Sequence, residues 1–338
     1  MPEHLVTASH IAGQMGLPSA SAASLSVLGD LATLRTLLAY HSVPQPRWAE
    51  AFDAAAAVTE AETIGYPVLV RPRASKEAGA VLAHNRAEVL DACKRLTEVS
   101  TSSTFRRVGD VVVEECLDGL PFSAETVVLG DGEIRIVAIA RTTIGSMSMR
   151  QAMRHCVYAH DGLLHNPIVR QIVTRAVRAV GIAPGTLHVS MKLTPRGPRI
   201  TDIEGCLAND FIPLLVRRAT GIDLPRIAAQ LAVGKTPDLA PTRQRAAAIH
   251  FAYPSASGRI EHLTVSPKIA DQPLLDRIVP LQQTGNKVLA TPESRLSDRL
   301  AYWVALGSDV PHCHTILDEM TKYLSVDIAG STIGSHAA

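Results

Sequence analysis

Apolar positions recur along the chain in two rhythms. IVRQIVTRAVRAV spaces them every three or four residues and stops at Gly181, which predicts an amphipathic helix with a glycine C-cap. RAEVLDACKRLTEV, residues 86–99, predicts a second helix on the same grounds. Short apolar runs between turn residues read as strands: GYPVLVRPR at 65–73, then DVVVEECL, FSAETVVL and EIRIVAIAR, the last two joined by Gly130-Asp131-Gly132. ASKEAGAVLAHN supplies a glycine-containing turn and a strand that closes a hairpin with GYPVLVRPR, whereas TSSTFRRVGD reads as a polar connection.

TLHVSMKLTP and PRITDIEG predict strands paired across the turn Pro195-Arg196-Gly197-Pro198. Period-two alternation then places His188, Ser190, Asp202 and Glu204 on one face. At the N-terminus HLVTASHIAGQMG and LGDLATLRTLLAYH predict two helices separated by the loop LPSASAAS. Beyond residue 246, AAAIHFAYPSASGRIEHL predicts a hairpin and RIVPLQQTGNKVLATP another strand pair. LSDRLAYWVALG and HCHTILDEMTKYLSV predict helices, and GSMSMRQAMRHCVYAHDG fits no single pattern.

Composition narrows the function classes. A chain of 338 residues with 46% hydrophobic and 19% charged residues is an ordinary globular sequence of two or three packed units. With 33 basic and 32 acidic residues there is no global field for DNA or an anionic membrane, and aromatics at 4% offer few platforms for stacking bases. Nucleic acid and membrane are therefore not expected partners. Five widely spaced cysteines without a CxxC pair predict reduced thiols, and the lack of a leader-like N-terminus or a long apolar run predicts a cytoplasmic protein.

Read in order, GDLATLRTLLAYHSVPQP, GYPVLVRPRASKEAGAV, VVVEECLDGLPFSAETVV and GTLHVSMKLTPRGPRITDIEGCLANDFIPLLVRRATGIDL resemble the ATP-grasp superfamily of carboxylate–amine ligases, especially its dipeptide-ligase branch. The resemblance implies a mixed α/β, α+β fold in which two antiparallel-sheet subdomains clamp a nucleotide. It also implies a division into a remnant N-terminal domain at 1–30, a small subdomain with its preceding helix at 31–105, a large subdomain at 106–240, a C-terminal lobe at 245–328 and a disordered tail at 329–338. The usual domain preceding the ATP-grasp region is expected to be largely missing.

The same resemblance implies ATP and Mg as cofactors, and small carboxylate and amine substrates joined through an acyl phosphate. Phosphoryl transfer asks chiefly for positioning and for neutralised charge, which is why cations and metal-binding carboxylates are sought. Arg71 falls at a phosphate-binding lysine position, Lys76 in the flap over the phosphates, and Glu114, Glu115 and Leu117 on the strand whose backbone meets adenine; an ordinary central strand fits those last three equally well. Asp202 and Glu204 fall at metal-binding positions. His188, Arg154, Asn209 and Asp210 fall near the substrate, although His188 also reads as a structural strand histidine and Asp210 first as a helix N-cap.

Three departures bear on activity. Leu31 stands where a phosphate lysine is expected, Ser190 at a metal carboxylate, and Cys206 at a phosphate-binding arginine; none replaces the charge. Two readings follow: an ATP- and Mg-dependent ligase, or a catalytically impaired homologue acting as an accessory or regulatory binding protein. Either leaves room for a homodimer or a protein partner.

Overall fold

The computed structural model describes residues 2–73, 79–100, 111–145, 151–290 and 294–329. Three helices open the chain: α1 (Pro2–Gln14), α2 (Ala22–Gly29) and α3 (Leu31–Tyr40). There follow β1 (Trp48–Ala51), α4 (Ala54–Ile64), β2 (Val68–Pro72), β3 (Val81–Ala83), α5 (Arg86–Ser100) and β4 (Val111–Glu115). Next come β5 (Leu120–Val128), β6 (Ile134–Ile144), β7 (Ala152–Tyr158), α6 (Pro167–Val180), β8 (Gly185–Thr194) and β9 (Gly197–Glu204). Helices α7 (Ile212–Thr220) and α8 (Leu224–Ala232) lead to β10 (Ala246–Ala252), β11 (Gly258–Val265), β12 (Leu275–Pro280), β13 (Lys287–Val288), β14 (Ala301–Gly307), α9 (Val310–Met320) and β15 (Leu324–Ala329).

The chain forms two compact units, the first from Met1–Val137, Leu163–Leu207 and Pro225–Asp238, the second from Ala138–Gly162, Ala208–Leu224 and Leu239–Ala338. In the first, β1-β4-β2-β3 form an antiparallel sheet, and β5-β8-β9 form an antiparallel ladder. Helices α4 and α5 cover the sheet, burying Val58, Ala61 and Val89 against Val68, Val70 and Val113. In the second, β12-β14-β10-β7-β6 form one antiparallel ladder and β13-β11-β15 another. Trp303, Cys313 and Leu317 anchor the core between the first of these and α9. The α+β fold of antiparallel sheets expected from sequence is the fold observed.

Helix α6 shows how local sequence makes an element. Asn166 accepts hydrogen bonds from the N–H groups of Ile168 and Val169, Pro167 supplies the first turn, and Gly181 ends the helix in the left-handed region at φ 72. Val169, Ile172, Val173, Ala176, Val177 and Val180 fall on its buried face. Each larger aliphatic side chain so buried stabilises the fold by about 1.5–3 kcal/mol.

Several expectations need correction. The single helix expected across LGDLATLRTLLAYH is two, because Asp30 is extended (φ −121, ψ 109) and its carboxylate caps Thr33 N–H, ending α2 and starting α3. The turn between β8 and β9 is tighter than four residues, since Thr194 pairs with Gly197 and leaves only Pro195-Arg196 between the strands. Strands β10 and β11 do not form a hairpin: β10 pairs with β7 and β14, and β11 with β13 and β15. Likewise β12 and β13 belong to different sheets. AYWVALG is strand β14 rather than helix, and YLSV enters β15. As an inner strand β14 is buried on both faces, so its apolar run carries no alternation to separate it from a buried helix. No single helix among the described residues is long and apolar enough to cross a membrane.

Candidate functional site

The residues expected at a site fall into two groups. Arg71, Glu114, Glu115, Leu117, His188, Asp202 and Glu204 lie in the first unit; Arg154, Asn209 and Asp210 lie in the second. Lys76 lies outside the described residues.

In the first unit a cavity of about 150 Å³ opens beside the ends of β2 and β4, lined by Leu31, Leu69, Arg71, Arg73, Glu114, Glu115, Leu117 and Lys192 among others. Strand pairing explains the grouping. Leu69 lies opposite Glu114 in the β2–β4 ladder, which sets Arg71 diagonal to Glu114 on the same face. Arg71 donates from Nη1 to Glu114 Oε2 at 3.3 Å and to the Thr201 carbonyl at 3.4 Å, and from Nη2 to Asp202 Oδ2 at 3.0 Å. Burial works against the Arg71 charge, but Asp202 and Glu114 outweigh it and hold the guanidinium above its usual pKa. The other Glu114 oxygen accepts Arg35 Nε at 2.6 Å, and Arg35 Nη2 reaches the Thr201 carbonyl at 2.5 Å.

The remaining walls carry both signs of charge. Arg73 pairs with Asp30 at 2.8 Å and with Glu50. Glu115 accepts from the Arg47 N–H at 3.1 Å and from Arg196; burial opposes its charge, and these donors still hold its carboxyl below the usual range. Lys192 Nζ donates to the Leu117 carbonyl at 2.8 Å. Leu31 packs with Ala32, Val112 and Trp48, so at this position the cavity wall is apolar.

Across β8 and β9, His188 faces Glu204 and Ser190 faces Asp202, the common face expected from alternation. His188 bonds Glu125 at 2.8 Å and Ser190 at 3.2 Å, and Glu125 also accepts from Ser123 at 2.8 Å. Burial disfavours the His188 charge, yet Glu125, Glu204 and Asp202 raise its pKa. Cys206 Sγ lies 4.0 Å from Glu204 Oε2.

Among the described residues no three His, Cys, Asp or Glu side chains gather as a metal cluster. Magnesium does not require one, because it commonly binds through one or two carboxylates together with water and substrate phosphate. Asp202 and Glu204, hard oxygen donors two residues apart on one strand, fit it in number and chemistry. The Cys206 thiol is too soft to add to that set.

In the second unit Asp210 is not an N-cap. Helix α7 is preceded by Phe211, which makes no side-chain cap, and both Asp210 (φ 54) and Phe211 (φ 60) are left-handed. The Asp210 carboxylate is drawn away by Arg299, which donates to it at 2.6 and 2.9 Å, and by His155 at 3.3 Å. Burial alone would raise the Asp210 pKa; these two partners hold it well below the carboxylate range. Arg299 also stacks 3.7 Å from the Phe251 ring centre and donates to Tyr253 at 2.7 Å. Arg154 donates to His250 Nδ1 at 2.8 Å and pairs with Asp318. The exposed Asn209 contributes its carbonyl to the Ile212 N–H at 3.1 Å.

Lys192 and Arg73 were not singled out from sequence. The signal for Lys192 was present, since continuing the alternation of His188 and Ser190 by two reaches it.

With this geometry in place, residues 39–239 match the family described as the carbamoyl-phosphate synthase L chain, ATP binding domain. The chain belongs to this family. It is thus an ATP-grasp protein, and the match includes the cavity-lining residues from Pro46 to Thr201 but not Gly29 and Leu31. The ATP-grasp chain is 23% identical over 331 residues to the uncharacterized protein y4rH of Sinorhizobium fredii, covering 96% of this chain and 66% of that protein. It is 26% identical over 182 residues to the carbamoyl phosphate synthase large chain of Ralstonia nicotianae, covering 53% of this chain and 16% of that one. The crystal structure of L-amino acid ligase from Bacillus licheniformis superposes with a TM-score of 0.79 at 18% identity, covering 98% of this chain and 79% of that one. At that identity the likeness is one of fold.

Proposed function

We propose that the chain is an ATP-dependent carboxylate–amine ligase that activates a small carboxylic or amino acid as an acyl phosphate and passes the acyl group to an amine. The observation that carries the reading is the first-unit cavity, where apolar Leu31, Leu69 and Leu117 adjoin three cations, Arg71, Arg73 and Lys192. That combination suits a nucleotide, with the apolar walls against the base and the cations on the phosphates. Membership of an ATP-binding family supports it.

Within this reading the β4 end and Leu117 present backbone to the adenine edge, and Asp202 and Glu204 would hold magnesium. When bound, that ion supplies charge neutralisation for phosphoryl transfer. Arg71 on β2 and Lys192 on β8 orient the phosphates, and Lys76 of the flap is proposed as a further phosphate contact. His188, fixed by Glu125, borders the Asp202–Glu204 face and is proposed to approach the substrate. Arg154, Asn209 and Asp210 carry no part of this proposal.

The test is phosphate release from ATP and magnesium by the full chain across a matrix of amino acids offered in pairs. Release that needs both a carboxylate and an amine, and that Asp202→Ala abolishes, supports the ligase; no pair-dependent release overturns it. The uncharged Leu31 and Cys206 favour a second reading, nucleotide binding without ligation, which is what remains if ATP binds and no pair is turned over.

A further inference from the structure

We infer that Arg71 guards Asp202: its guanidinium holds the carboxylate that a divalent cation would use, and a nucleotide phosphate must draw Arg71 away before that cation can bind. The inference rests on reading the cavity as a nucleotide-phosphate site, and it adds an order of binding to that reading.

Both Asp202 oxygens are engaged. Oδ2 accepts Arg71 Nη2 at 3.0 Å and Oδ1 accepts the Ile203 N–H at 2.8 Å. Arg71 and Asp202 are each 16% exposed, so water screens their attraction only in part, and a dication at Oδ2 would meet a fixed positive charge within a few ångströms. A metal site beside an unmoved guanidinium is electrostatically opposed.

The arginine also has a built-in release. Its Nη1 arm is tied to Glu114, which Arg35 fixes from the other side in a nearly dry ion pair, so that arm can serve as a pivot. Among the described residues its Nη2 arm bonds Asp202, and Arg71 lines the cavity together with Arg73 and Lys192. A phosphate there offers the fork a stronger, multiply charged acceptor than one carboxylate. Moving Nη2 onto phosphate takes the guanidinium off Asp202 Oδ2, relieves its opposition to a cation there, and lets it share the phosphate charge. Nucleotide and metal are then positively coupled, and by linkage each raises the affinity for the other.

The experiment is Mn²⁺ binding, followed by electron paramagnetic resonance, to the nucleotide-free full chain. Arg71→Met is expected to bind Mn²⁺ about tenfold or more tightly than wild type, within the range usual for coupled sites. Adding Asp202→Asn removes the gain, and Arg71→Lys, which keeps a charge, stays close to wild type. Equal Mn²⁺ affinity in wild type and Arg71→Met overturns the guard. Should Arg71→Met not fold by circular dichroism, wild type decides alone: inorganic phosphate, a weak chelator, raises Mn²⁺ affinity if the guard is released by phosphate and leaves it unchanged if not. Titration of an ATP analogue runs in parallel. A Mn²⁺ gain in Arg71→Met together with no nucleotide binding to wild type retires the nucleotide reading and the phosphate release with it, whereas nucleotide binding to wild type without that gain retires the guard alone.

Discussion

Arg35 on α3 and Glu114 on β4 meet at 2.6 Å with side chains only 0% and 2% exposed. Glu114 has a second partner in Arg71, so its two oxygens serve two guanidinium groups. Breaking a buried pair from one side costs about 3–5 kcal/mol because a charge is left uncompensated. Arg35→Met leaves Glu114 paired with Arg71 and should fall at the low end of that range. Glu114→Gln takes the carboxylate from the fully buried Arg35 and one of the two carboxylates from Arg71, and should fall at the high end. Chemical denaturation of both variants checks the order; a smaller loss for Glu114→Gln contradicts it.

His250 gives a pH prediction. Burial first, then Arg154, pushes its imidazole down to about 4, with Asp318 opposing. The ring stacks on Trp303 at 4.5 Å and accepts Arg154 Nε, as a neutral imidazole can. Between about pH 6.5 and 4 the unfolded chain therefore binds more protons than the folded one. The stabilisation is fully present above 6.5 and is lost as pH falls toward 4, by about 3 kcal/mol in all. His250→Gln, which can still accept from Arg154, should flatten the stability profile in that window.

Gly221 ends α7 at φ 84, and a Cβ there would lie 2.0 Å from Thr242 Oγ1. Gly221→Ala should destabilise by about 1–3 kcal/mol from backbone strain, with the clash added. Adding Thr242→Ala removes the clash and leaves the φ penalty, so it should restore part of the loss in thermal melts.

The legibility of the site follows from its local rules. Alternation along each strand puts Asp202 with Glu204 and His188 with Ser190, but the pairing that sets Ser190 opposite Asp202 depends on a register shift between Ser190 and Met191, which neither the turn nor alternation encodes. Arg71 was found as a residue, but its bond to Asp202 joins positions far apart in sequence, and no local pattern encodes that meeting. Asp210 was misread as a cap because its competing partner, Arg299, is likewise distant in the chain. The ladder β12-β14-β10-β7 was the least legible part of the fold: β10 and β14 are buried on both faces, so their apolar runs lose the period that identifies a strand and its partner.

The most direct measurement is isothermal titration of a non-hydrolysable ATP analogue, with magnesium, into the wild-type chain and Lys192→Ala. Lys192 lines the cavity and is not itself a member of the Arg35–Glu114–Arg71–Asp202 chain of hydrogen bonds. The account predicts saturable binding to wild type that weakens about tenfold when one charged phosphate contact is removed. No binding to wild type, or binding that Lys192→Ala leaves unchanged, would contradict a nucleotide site in this cavity.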